Sequence, residues 1–137
     1  MKLKTYFEDV EGKGILATSE SQGKVDAAVY SRPHFMEDGT LAFIMADRLT
    51  HHNLQTNPYD VYLFMEEGPG YKGQRLFLKN TNGEQDTDRL FELRRRQYPS
   101  QTEGSTRFLV FFQVEKVIPL IGAGRAEDTL GNGSRAT

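Results

Sequence analysis

Arg48, Thr50, His51 and His52 lie within five consecutive positions, and their side chains share one chemistry: all can donate hydrogen bonds to an anion. The guanidinium and protonated imidazoles bring charge, and the hydroxyl brings a short neutral donor. Phosphate oxygens suit all of them. Thr50 also has the form of a helix N-cap, whose hydroxyl accepts from the free N–H groups of the first turn. Pro58 pushes Asn57 out of the helical region, so this helix closes within roughly two turns. The N–H groups and positive dipole end at its start then reinforce the anion site. The competing reading is a plain surface connector with solvated cations and two incidental imidazoles.

Strand-forming runs flank this stretch, at residues 40–45 before it and 60–65 after it. Similar runs occupy residues 14–19, 24–31, 74–81 and 107–118, rich in β-branched and aromatic side chains. Residues 86–98 read as a helix that starts with acids, ends with bases and stops at Pro99. Its three arginines, Arg94 to Arg96, read as a solvated last turn. Residues 1–13 read as a short helix around Tyr6 and Phe7, or as an extended arm. Six strands at short spacing with inserted helices predict a mainly β (α+β) chain, its mostly antiparallel sheet closed into a small barrel. Residues 1–121 form the expected domain, followed by a polar, flexible tail at 122–137.

Composition narrows the function. The chain has 137 residues, 37% hydrophobic and 26% charged, which fits one globular domain. Its net charge of -2 argues against a broad nucleic-acid interface. There is no cysteine, so disulfides and thiolate metal sites are excluded. His51 and His52 are adjacent, whereas chelating pairs on a helix sit three or four apart, so no metal site is expected. No secretion signal or membrane span is legible, and a cytoplasmic location is expected. The run from Gly68 to Gly73 matches G-x-G-x-x-G, but a strand follows where the dinucleotide fingerprint needs a helix. It reads as a loop.

The order of these segments resembles the pyridoxamine 5'-phosphate oxidase-like family, the FMN-binding split β-barrels. The likeness rests on the run at 14–18, on residues 27–31 leading into Arg32 and Pro33, and on the strand at 41–45. Above all it rests on Thr50, His51 and His52 followed by Asn53-Leu54-Gln55-Thr56-Asn57-Pro58, which matches the family's "N-L-x-x-N-P". The resemblance implies a homodimer with FMN at the subunit interface. It would place Arg48, Thr50, His51 and His52 at the FMN phosphate and Tyr30, Ser31, Arg32 and Pro33 along the ring. Gln74 and Arg75 would reach the cofactor from the partner subunit. Because imidazoles stand where the family often has Arg or Lys, affinity is expected to fall as pH rises above about 7. The basic C-terminal motif of the true oxidases, Arg-Leu-His-Asp-Arg in type, is missing, so vitamin B6 oxidation is not expected. An FMN-dependent oxidoreductase acting on a small molecule is. The alternative is a non-catalytic module for flavin, a deazaflavin or haem, with His34 the haem candidate outside the helix.

Overall fold

Alternation of apolar and polar side chains puts one face of each strand in the core. In the computed structural model, which describes residues 3–97 and 106–122, the strands pair into one antiparallel sheet. The elements in chain order are α1 (Leu3–Asp9), β1 (Gly12–Ser19), β2 (Val25–Tyr30), β3 (His34–Phe35), β4 (Leu41–Ala46) and α2 (Leu49–Leu54). They continue with β5 (Tyr59–Glu66), β6 (Gly73–Gln85), α3 (Asp88–Gln97) and β7 (Arg107–Pro119). The sheet order is β2-β1-β5-β6-β7-β4-β3, seven strands rather than the expected six. The addition is β3, two residues paired with Leu41 and Ala42. Being so short and following Pro33, it leaves no alternating pattern to read. Residues 3–9 form the helix, not the arm. Arg94 is buried, against the expectation of a solvated turn. Tyr98 and nearly all of the polar tail, residues 123–137, lie outside the described residues.

The sheet curls around its aromatic side chains. Tyr62, Phe43, Phe64, Phe112, Leu16 and Leu76 are completely or almost completely buried. Each contributes about 1.5–3 kcal/mol relative to an exposed side chain. Curling brings β2 and β4, which are not hydrogen-bonded to each other, close enough for Tyr30 to meet Phe43 edge-on, centroids 5.8 Å apart. α2 packs over this opening against β1, β2 and β4. α1 closes the other end, with Phe7 against Phe64 at 4.9 Å. α3 covers the outside of β7 and β4 through Leu90, Leu109, Phe111 and Ala42. Gly14 is required on β1, because a Cβ there would overlap the ring and hydroxyl of Tyr62. That hydroxyl donates to the carbonyls of Tyr30 and Ser31, both at 3.1 Å, and so fixes the end of β2.

Candidate functional site

α2 begins two residues earlier than its sequence signal, with Arg48 rather than Thr50 at the N-cap and no side-chain cap hydrogen bond. Thr50 sits inside the first turn and is buried. Its hydroxyl faces the sheet, where it donates to Oδ2 of Asp26 at 3.4 Å and is hydrogen-bonded to the Tyr30 phenol. The hydroxyl is thereby turned away from the backbone N–H groups it was expected to cap. At six residues α2 is also too short for its backbone to make an anion site, so any charge there comes from side chains. Arg48 and His52 are exposed and able to supply it.

His51 is held differently. Its ring stacks on Phe108 of β7, centroids 3.7 Å apart and planes at 10°. Its Nε2 lies 3.2 Å from the Gln55 amide nitrogen, which also donates to the His51 carbonyl at 2.9 Å. An amide nitrogen is a donor, so Nε2 accepts and the proton of the neutral ring is on Nδ1. Burial lowers the His51 pKa below its ordinary value, Asp47 opposes this, and His52 adds to it. Any affinity change carried by His51 therefore begins below pH 6.5, where the unbound ring loses its proton. Burial likewise raises the Tyr30 pKa, the hydrogen bond with Thr50 opposes it and Asp26 adds to it, so the phenol is neutral.

The remaining expected residues divide into two groups. Tyr30 lies beside Thr50, but Arg32 points to the other end of the barrel. Its Nη1 donates to the carbonyls of Phe7 at 2.8 Å and Val10 at 3.0 Å, tying the chain after β2 to α1. Ser31 is exposed and Pro33 is buried. Arg75 donates to the carbonyls of Pro119 at 3.0 Å and Gly122 at 2.7 Å. Through the ladder Arg75–Leu63–Ile15–Val29, Arg75 lies three strands from β2. With the three residues from Val29 to Asp26 added, it is on the order of 17 Å from Asp26. One chain therefore does not bring Gln74 and Arg75 to Thr50. His34 is half-buried on β3. Asp26 and Phe108, together with Arg107 opposite Ala46 in the β4–β7 ladder, join the α2 region without having been singled out. The contacts span up to 57 positions of sequence, from Phe108 back to His51, and no local pattern encodes them.

No protein-family model matches the sequence, and no curated protein is similar to it. Solved structures do match. An FMN-binding protein from Syntrophomonas wolfei superposes with a TM-score of 0.68 at 18% identity, over 86% of this chain and 83% of that one. An F420 reductase gives 0.66 at 12% identity, over 82% and 94%. The haem storage protein HutZ from Vibrio cholerae gives 0.64 at 15% identity, over 85% and 91%. Further matching structures carry pyridoxamine 5'-phosphate oxidase names.

The fold is that of the pyridoxamine 5'-phosphate oxidase-like split barrels. In this split barrel the opening lies between β2 and β4, with Tyr30, Thr50 and α2 along its margin. The split-barrel proteins it resembles bear names pointing to FMN, F420 and haem. Among the described residues no helix is long and apolar enough to cross a membrane.

Proposed function

We propose that the chain is an FMN-binding flavoprotein, a homodimer with cofactor at the subunit interface, acting as an oxidoreductase on a small molecule. The observation that carries this reading is the split-barrel fold shared with an FMN-binding protein, with exposed Arg48 and His52 placed at the barrel opening. The Arg48 guanidinium and the His52 imidazole, with Thr50 and His51 beside them, fit a phosphate. Tyr30 and Ser31 at the end of β2 offer a phenol and backbone groups to the edge of a ring. Bound flavin would supply the electron or hydride chemistry, leaving the chain to anchor, orient and exclude water.

The homodimer has its own support. The outer face of the sheet is apolar across β2, β1, β5 and β6: Val25, Val29, Ile15, Val61, Leu63 and Phe77. Val25 is 80% exposed and Val29 78% exposed, although both lie in regular strand. Contiguous apolar surface of this kind marks a protein interface. On the same face Lys116 Nζ lies 5.8 Å from the centre of the Phe77 ring. It is covered and has no hydrogen-bond partner among the described residues. A partner subunit's carbonyl or carboxylate would satisfy it. A dimer also offers the route by which Arg75 of one chain approaches Thr50 of the other.

The test is paired titration of the protein with FMN and riboflavin, followed by flavin fluorescence. Thr50→Ala and Arg48→Ala should weaken FMN and leave riboflavin nearly unchanged, because only FMN has the phosphate. Equal loss for both flavins would place the phosphate elsewhere.

A further inference from the structure

The Thr50 hydroxyl has one proton to give, and in this structure Asp26 takes it. The hydroxyl is buried, Oδ2 of Asp26 lies 3.4 Å from its oxygen, and the Tyr30 phenol is bonded to the same oxygen. A carboxylate oxygen only accepts, so the Thr50 proton points to Asp26. In that arrangement the Thr50 hydroxyl has only lone-pair density left for another ligand. A phosphate oxygen also presents lone pairs, and the two cannot bond until Thr50 lets go of Asp26.

We infer that Asp26 determines the selectivity of this site for the phosphorylated ligand by competing with phosphate for the Thr50 proton and by repelling its charge. The inference rests on the assignment of the phosphate to Thr50. Geometry sets the size of the effect. A phosphate oxygen in hydrogen-bond reach of Thr50 would lie roughly 6 Å or less from Asp26 Oδ2. Like charges at that separation beside a half-buried surface cost on the order of tenfold in affinity or more. Arg48 is exposed and screened, so it offsets this only in part. Riboflavin lacks the phosphate and escapes both effects. With Asp26 present, FMN should therefore hold a smaller advantage over riboflavin than it does once Asp26 is replaced. Asp26→Asn keeps the shape, removes the charge and can donate its amide to Thr50, freeing the hydroxyl proton to face outward.

The experiment measures flavin dissociation constants by fluorescence quenching for the intact protein, Asp26→Asn, Asp26→Ala, Thr50→Ala and the Asp26→Asn/Thr50→Ala pair. The expected result is a gain of about tenfold for FMN in Asp26→Asn with riboflavin unchanged within about twofold. That gain should be smaller when Thr50 is also Ala, since the proton competition has gone. Asp26→Ala guards against an effect peculiar to the new amide and should also favour FMN. If Thr50→Ala costs FMN selectively but neither Asp26 variant moves the ratio, the role of Asp26 is overturned and the phosphate assignment stands. If no variant moves the ratio although both flavins bind, the phosphate assignment itself is wrong and the inference falls with it.

Discussion

Asp60 opens β5 on its inner face, in register with Leu78 and one step beyond the Ala17–Val61 pair. It is 6% exposed, and neither carboxylate oxygen has a hydrogen-bond partner among the described residues. Burial alone pushes its pKa from 3.8 up to about 8. Between those two values the folded chain holds a proton that the unfolded chain has released. Stability from this site is thus fully present below pH 3.8 and is lost progressively as pH rises towards 8. At 1.36 kcal/mol per unit, the loss between pH 5 and 7 is about 2.7 kcal/mol, and at pH 7 it totals about 4 kcal/mol. Asp60→Asn keeps the shape but cannot titrate, so its stability should not share that slope. Urea denaturation at pH 5, 6 and 7, at matched protein concentration, provides the measurement. The variant should gain roughly 2–3 kcal/mol on the parent between pH 5 and 7. Identical pH profiles for the two proteins would mean that Asp60 ionises alike in the folded and unfolded states and is not held protonated by burial.

Other expectations follow from single contacts. Gly14→Ala forces a methyl against Tyr62 and should cost about 1–3 kcal/mol by the same denaturation, more than Gly23→Ala would cost through its positive φ alone. His51→Gln should remove part of the pH dependence of FMN binding that sets in below pH 6.5, as the stacked imidazole of the unbound protein loses its charge. The second ionisation of the phosphate itself, near 6, is common to both proteins and cancels in the comparison. A difference that appeared only above pH 7 would count against the depressed imidazole. Val29→Glu puts a charge on the outer sheet face and should shift sedimentation from dimer to monomer, whereas Gln22→Glu, in the exposed β1–β2 turn, should not.

The strands were legible because their interiors alternate or run apolar, as in residues 41–45 and 107–112, and the loop at Gly68 was legible because a strand pattern follows it. The limits lie where structure depends on distant partners. β6 runs on to Gln85 through irregularities between Phe77 and Leu78 and between Asn80 and Asn82, where polar residues pair with β7 against local preference. Thr50 has every local property of an N-cap, yet Asp26 and Tyr30, carried up by β2, engage its hydroxyl and the helix starts without it. Asp60 looks like an ordinary polar strand opening, and only the curl of the sheet shows that it faces inward. His51 reads as a phosphate donor until Phe108 stacks on it. The site's residue types could be read from the sequence, but their protonation and availability are set by the tertiary fold.

The visible spectrum of the purified protein, after mixing with FMN and gel filtration, decides whether the chain is a flavoprotein. Flavin absorption should be retained near stoichiometry and co-elute with a dimer. A colourless protein would contradict it, and a sharp Soret band acquired on parallel mixing with haem, with none of the flavin retained, would move the split barrel to haem binding.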